Sequence, residues 1–149
     1  MDRRHMLGML GAGAVGTLAM GGTHARAADH HDDAHMETMA RCARKCADAA
    51  AHCLGQLRKG SGDSERHAAA LAMTIACETF CLHTYHQAAC HSPLAALAHE
   101  ANAKACEQCA KTCEGMDGAV MKECVEECRK CAEACREMAR HTDHGRSSR

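Results

Sequence analysis

The sequence is poor in the large apolar residues that normally form a protein core. Its 149 residues include one Phe, one Tyr and no Trp. From Ala28 onward, only ten residues are Val, Ile, Leu or Phe. That is far below the ~20% under which a chain is usually disordered, because so little apolar surface does not offset the entropy lost on folding. A core made of ordinary aliphatic and aromatic side chains is therefore excluded.

Cysteine and alanine are the residues that remain to fill a core. The chain has 13 Cys, and all of them come after Ala28. A protonated thiol behaves as a small hydrophobic group and is often buried. Frequent Ala, Glu, Lys and Arg, a single Pro and the lack of β-branched runs favour helices over strands. The formal net charge of −1 gives no basic surface, so no nucleic-acid partner is expected.

The first 27 residues have the features of an export signal. Arg3 and Arg4 precede a weakly apolar run at 6–20, which is shorter than the ~20 residues that a membrane span needs. Ala25-Arg26-Ala27 fits a small-x-small cleavage site. These features resemble a twin-arginine signal, so we predict cleavage after Ala27, a periplasmic location and no membrane association of the mature chain. The alternative is an uncleaved N-terminal membrane anchor.

A polar segment at 28–35 would form the new N-terminus. Cleavage after Ala27 leaves His30 in third place, where its imidazole, the free amine and two backbone amides can surround a metal in a plane. Square-planar nitrogen ligation suits copper(II), so the sequence predicts a copper(II) site at His30. The alternative is a disordered polar terminus without a site.

Turn signals divide residues 36–141 into four helices. Gly60–Asp63 and Gly115–Gly118 read as turns, and Ser92-Pro93 reads as an N-cap followed by proline in the first helical position. Residues 142–149 are predicted to be a disordered tail. The predicted helices run from 33 to 59, from 64 to 89, from 92 to 114 and, after the second turn, to about 141.

The cysteines recur at steps of three and four, which places them on one face of each helix. Only Cys90 departs, because it comes nine residues after Cys81 and so lies on the opposite face. Short connections make successive helices antiparallel, so the four faces meet on one axis and predict an all-α, antiparallel four-helix bundle with a cysteine-lined core. The faces are His35, Met39, Cys42, Cys46, Ala49 and Cys53; Ala70, Met73, Cys77 and Cys81; His99, Asn102, Cys106, Cys109 and Cys113; and Met121, Cys124, Cys128, Cys131, Cys135 and Met138.

A row of thiols along a bundle axis favours soft metal ions. A disulfide framework is a poor fit, because the number of Cys is odd and many pairs would only link a helix to itself. Simple filling of the core is a poor fit too, because it would not require thirteen oxidisable groups. The candidate metal ligands are Cys42, Cys46, Cys53, Cys77, Cys81, Cys90, Cys106, Cys109, Cys113, Cys124, Cys128, Cys131 and Cys135.

The charge of the metal decides among soft ions. Zinc and iron–sulfur sites also use pairs of cysteines that are separated by two residues. This chain has two such pairs, Cys106 with Cys109 and Cys128 with Cys131. Four thiolates on one zinc leave a net charge of −2 to bury, whereas one thiolate per copper(I) leaves none. Thiolates select copper(I) and can bridge two metal ions. Several copper(I) ions per chain are therefore predicted, with an iron–sulfur electron carrier and a general zinc or cadmium sequestrant as alternatives.

The cysteine pattern resembles that of the bacterial copper storage proteins. The resemblance covers about 36–138 and rests on Cys42-Ala-Arg-Lys-Cys46, Cys77-Glu-Thr-Phe-Cys81, Cys124-Val-Glu-Glu-Cys128 and the run from Cys106 to Cys113. It implies copper(I) bound by core thiolates and assembly of bundles into homo-oligomers, typically tetramers. The export signal is similar to that of the exported branch, in which Met and His at one bundle end are associated with copper uptake.

The sequence thus predicts a copper(I) store rather than an enzyme, since no nucleophile–base arrangement or phosphate loop is visible. We expect copper to be taken up at the end where the first helix begins, because thioethers bind copper(I) more weakly than thiolates and imidazoles also suit copper. The alternative uptake end is the opposite one, which has Met73, Met116 and Met121, although these methionines also fit an interpretation as fillers of core gaps. The predicted uptake end gathers His35, Met36, Met39, Cys90, His91, Met138 and His141.

Overall fold

The chain folds as four antiparallel helices. A computed structural model describes residues 23–60 and 63–146, and describes side chains for 33–60 and 63–141. The helices are α1 (Thr23–Arg58), α2 (Ser64–Ala89), α3 (Ala95–Cys113) and α4 (Ala119–Arg146), and the described residues contain no strand. Each connection has five residues, α1 packs against α2 and α4, and α3 packs against the same two helices. The predicted all-α four-helix bundle is confirmed.

Some helix bounds differ from the predicted ones. α2 has the predicted bounds, whereas α1 begins ten residues before Asp33, because no Gly or Pro interrupts 23–32. α4 continues to Arg146, five residues past His141. The predicted helix start at Ser92 is wrong. Residues 92–94 form a turn, in which the Ser92 hydroxyl accepts a hydrogen bond from the Leu94 N–H at 3.2 Å, and α3 begins only at Ala95.

Part of the predicted N-terminal region lies outside the described residues. This holds for residues 1–22, which make up most of the predicted signal, and for the side chain of His30. Within the described part, no helix combines the length and the apolar character needed to cross a membrane.

The core contains thiols and small residues, and most large apolar residues lie outside it. Every Cys except Cys90 is at most 1% exposed. Among the ten Val, Ile, Leu and Phe residues after Ala28, only Val125 is buried. This inversion confirms that Cys and Ala form the core in place of aliphatic groups. The exposed large apolar residues are Leu54, Ile75, Phe80, Leu82, Leu94 and Leu97.

A buried carboxylate helps to join α1 and α4. Glu127 is 9% exposed and accepts hydrogen bonds from Arg41 at 2.6 Å and from Lys130 at 2.8 Å. Burial opposes ionisation of Glu127, but the two cations outweigh it and hold its pKa below the usual value. The ion pair is therefore charged at neutral pH and supplements the small apolar contact between these helices.

We predict that the reduced, metal-free protein is already helical, because neutral thiols pack as small apolar groups and fill the core without metal. Zinc fingers behave differently and fold only when they bind their ion. Circular dichroism of the fully reduced apo protein should show strong helical bands and a cooperative thermal transition. A random-coil spectrum under these conditions would contradict the prediction.

Candidate metal centre

Sulfur atoms from all four helices meet on the bundle axis. Cys42 and Cys46 of α1 lie 3.8 and 3.6 Å from Cys128 of α4. Across the diagonals, the Sγ atoms of Cys42 and Cys106 are 4.0 Å apart, and those of Cys77 and Cys128 are 3.9 Å apart. All of these cysteines are free thiols. The core is therefore a narrow column, in which thiols such as Cys42 and Cys77 contact sulfur atoms from two other helices.

Nine thiols form three groups of four, and within each group all sulfur atoms lie within 4.8 Å of one another. The groups overlap, because Cys42, Cys46 and Cys128 each belong to two of them. The column is thus one continuous network and not a set of separate tetrahedral sites. The groups are Cys42, Cys46, Cys77 and Cys128; Cys42, Cys81, Cys106 and Cys131; and Cys46, Cys109, Cys124 and Cys128.

The distances and the sharing of thiols suit copper(I). Three sulfur ligands around a metal at about 2.3 Å would be about 4.0 Å apart, close to the spacing between these thiols. Three divalent ions shared by nine thiolates would leave three uncompensated negative charges in a buried column. Nine copper(I) ions would leave none, so the network favours the monovalent ion.

Burial favours the neutral, protonated form of a thiol, and two cysteines near the ends of the column show this effect. Burial raises the pKa of the Cys53 thiol. The hydrogen bond with Cys131, and burial after it, raises the pKa of Cys135, while a contact with His35 opposes the rise. Metal must therefore displace protons when it binds, and each new metal–thiolate pair is formed with loss of one proton.

A mixed nitrogen and sulfur site lies at the end of the column where α1 begins. His35 Nε2 and His99 Nδ1 are 3.3 Å apart, and together with Cys135 they place three ligand atoms within 4.8 Å. All three residues are buried. Burial, and then the neighbouring His35, lowers the pKa of His99 to about 4. His99 is therefore a neutral imidazole at pH 7, the form that binds metals.

The role of His99 was missed from the sequence. The repeat placed it on the inward face of α3, seven residues before Cys106, but gave it no part in metal binding. One feature of the sequence could have identified it. His99 occupies the same inward face of α3 on which the later positions are cysteines that are candidate metal ligands.

A cavity of about 630 Å³ opens outward from this mixed site. Met36 and Met138 line it and are half-buried, and the exposed His91 and His141 lie at its edge. The cavity therefore brings together five of the predicted uptake residues, which are His35, Met36, Met138, His91 and His141. Two residues of the predicted set are placed elsewhere.

Met39 and Cys90 do not line this cavity. Met39 is fully buried further along the core, one turn beyond His35. Cys90 ends α2 as an exposed C-cap residue, because its position in the helical repeat faces away from the axis. The structure thus separates Cys90 from the twelve core thiols.

Asn102 separates the mixed site from the thiol network. Its side-chain amide donates hydrogen bonds to Cys135 at 3.3 Å and Cys131 at 3.8 Å, and its Oδ1 accepts from Cys81 at 3.4 Å and Cys106 at 3.6 Å. Asn102 is fully buried, so these four thiols satisfy an amide that would otherwise be costly to bury.

The face of α2 differs from the predicted one at Met73, and it continues further, to the fully buried Thr84. Thr74 is fully buried and Met73 is only half-buried, because the Thr74 hydroxyl is satisfied by the carbonyl of Ala70 at 2.8 Å.

Cys53 and Cys113 are buried as predicted but belong to none of the four-thiol groups. They lie at the end of the column opposite the mixed site.

We predict that His99 makes the apo protein sensitive to mild acid. Its folded pKa of about 4 lies below the ordinary value of 6.5, so the unfolded chain takes up the proton first. Stability should be complete above pH 6.5 and fall by about 3 kcal/mol at most between pH 6.5 and 4. Urea unfolding at pH 7.5 and pH 4.5 should show a smaller loss for His99→Gln than for the unchanged protein. An identical loss in both would refute this.

Comparisons with known proteins agree with the geometry. Residues 28–140 match the sequence profile of the family described as copper storage protein (Csp). The crystal structure of the Nmul_A1745 protein from Nitrosospira multiformis is 33% identical, with a TM-score of 0.64, and the match covers 74% of this chain and 96% of that one. The Cu(I)-bound copper storage protein BsCsp3 is 23% identical, with a TM-score of 0.62, and the match covers 73% and 98%. Among curated proteins no similar sequence was found. The chain belongs to the copper storage protein family.

Proposed function

We propose that this protein stores copper(I) in its thiol column. The observation that carries the proposal is the overlap of the three four-thiol groups, in which nine buried sulfurs form one network. Bridging thiolates let such a network hold about one copper(I) per sulfur without building up charge. A storage protein needs capacity and retention, and twelve buried thiols supply both.

The alternatives fit the network less well. Zinc in separate tetrahedral sites requires four thiolates per ion, but here three of the nine thiols would have to serve two ions each. An iron–sulfur cluster needs room for inorganic sulfide between its ligands, whereas these thiols contact one another directly at 3.6–4.0 Å. Family membership points the same way, and the Cu(I)-bound member BsCsp3 has the same fold.

The test is a metal titration of the reduced protein under anaerobic conditions, with copper(I) supplied against a chromogenic chelator and, separately, with zinc. We expect about ten or more copper(I) ions per chain and displacement of bound zinc by copper(I). Binding of only one to three ions, or retention of zinc against copper(I), would contradict a store. A visible charge-transfer spectrum on reconstitution with iron and sulfide would favour the electron carrier.

Copper enters at the end where α1 begins. The cavity there presents thioethers and imidazoles outside the buried His35, His99 and Cys135. Ligands that bind copper(I) more weakly than thiolates can accept the ion and release it inward. Asn102 lies between this site and the thiols of the network, so its amide is the first group that an inward-moving ion passes.

We expect the double variant Met36→Leu and Met138→Leu to load more slowly, by about threefold or more, with unchanged capacity. Leucine keeps the volume of each side chain but removes the sulfur ligand. Stopped-flow mixing with a copper(I)–chelator complex measures the rate, and the end point measures the capacity. Met73→Leu on the flank of α2 is the matched control. Equal loading rates for the double variant and the control would refute this role for the two thioethers.

The bundle also assembles with copies of itself. Six large apolar residues remain exposed in a chain that has few of them, and Ile75, Phe80 and Leu82 belong to one helix. A second copy that packs on the outer face of α2 and on Leu94 and Leu97 would bury the apolar surface that the core does not use.

The N-terminal sequence supports export through the twin-arginine route to the periplasm. That route carries folded proteins, so the thiols would be buried before they meet an oxidising compartment.

A further inference from the structure

The end of the bundle opposite the mixed site carries ligands that the thiol network does not use. Cys53 Sγ donates to Met121 Sδ at 3.9 Å, and both residues are fully buried. Cys53 belongs to none of the four-thiol groups. This pair of one thiol and one thioether lies at the end of the sulfur column.

Met116 connects this end of the core with the surface. It is 5% exposed and packs within the buried core, yet it also lines a second cavity of about 360 Å³. The cavity lies where the α1–α2 and α3–α4 connections meet. His52 of α1 and His67 of α2 both line it. A thioether that packs in the core and two imidazoles therefore line the same cavity.

The two imidazoles are arranged so that both can face one ion. Their ring centroids are 6.3 Å apart. Two imidazoles that bind one metal through nitrogen at about 2.0 Å have centroids about 5 Å apart in tetrahedral geometry and about 6.3 Å apart in linear geometry. His67 Nδ1 hydrogen-bonds to the backbone oxygen of Asp63 at 2.8 Å, which leaves Nε2 free. Such an anchoring bond is usual for a metal-binding histidine.

Gly118 keeps the space beside His52 open. A Cβ at this position would lie 3.7 Å from His52 Cε1 and 3.9 Å from its Nε2. The backbone φ of Gly118 is +104°, which other residues rarely adopt, so a side chain is disfavoured there on conformational grounds as well. The Nε2 edge of His52 thus faces free volume in the cavity.

The charges around this cavity favour a cation. Asp63 and Asp117 line it together with Arg66. The Arg66 guanidinium stays close, because it donates to the carbonyl of Glu114 at 2.7 Å and lies 3.9 Å from the Asp63 carboxylate. The two carboxylates outnumber the one guanidinium, so the lining has a net negative charge that attracts a cation.

We propose that this end is a second port for copper(I), with His52 and His67 as its outer ligands. The ion passes from the imidazoles to Met116 and then to the Met121–Cys53 pair, so its ligands become softer at each step inward. The mixed site at the other end, together with its cavity, combines the same three ligand types: imidazoles, thioethers and a thiol. This proposal rests on the proposed storage of copper(I).

The interpretation that these methionines only fill gaps explains less. It accounts for the burial of Met121, but it gives no reason for an oriented histidine pair above Met116 or for the open volume at Gly118. A sealed end would need only apolar residues, as Val120 and Leu71 provide on its flanks.

The test measures copper(I) uptake, and removal by a strong copper(I) chelator, in the Met36→Leu, Met138→Leu background, where the first route is slowed. Adding His52→Gln and His67→Gln should slow both rates by a further threefold or more, with the same number of ions bound at the end. Met116→Leu, which keeps the volume, should also slow them. His83→Gln changes an exposed histidine of α2 and should have no effect.

Imidazole nitrogen NMR of the unchanged protein supplies a direct readout, because the Nε2 signals of His52 and His67 should shift as copper(I) is added. Unchanged rates in the His52 and His67 variant, or no shift of these signals, would overturn the port. In either case an end point near ten ions per chain would leave the storage function standing. A capacity of only a few ions would instead refute storage itself.

Discussion

The core of this bundle has to be uncharged in two chemical states. Without metal, burial keeps thiols such as Cys53 protonated and the column is a neutral packing of small groups. With copper(I), each lost proton is replaced by one monovalent cation, and the column is neutral again. A divalent ion would break this equality, because its charge does not match that of a single thiolate. The uncharged side chains beside the thiols and the preference for a monovalent metal both follow from this constraint.

The mixed site and Asn102 show how the column ends without an uncompensated group. His99 is neutral because burial lowers its pKa, so it can lie beside a thiol without adding charge. Asn102 is polar but uncharged, and its four thiol neighbours use its donors and its acceptor. At this end of the bundle, uncharged groups therefore connect the sulfur network with the nitrogen ligands. The exposed histidines of this end, His91 and His141, lie further out, at the edge of the cavity.

Much of this architecture could be predicted from the sequence, because the repeat of Cys in steps of three and four leaves one arrangement that buries them together. The inward faces of α1 and α3 were predicted residue by residue. The sequence did not predict Thr74 in place of Met73, since the burial of a hydroxyl depends on a carbonyl that only the folded helix supplies. It also gave no role to His99, because the pairing with His35 joins residues 64 positions apart. The wrong start of α3 has a local cause, as Ser92 caps a turn and not the helix.

The contacts across both diagonals of the bundle have a consequence for how long a loaded molecule survives. In the metal-free state, the contacts between Cys42 and Cys106 and between Cys77 and Cys128 are weak hydrogen bonds between thiols. In the loaded state each becomes part of a chain of metal–sulfur bonds that links opposite helices. Separating any helix would then require many such bonds to break together, so unfolding becomes slow whatever the equilibrium stability. Bound copper thereby slows the unfolding that exposes the chain to proteases. The metal-free protein unfolds faster and is the form that proteases degrade more readily.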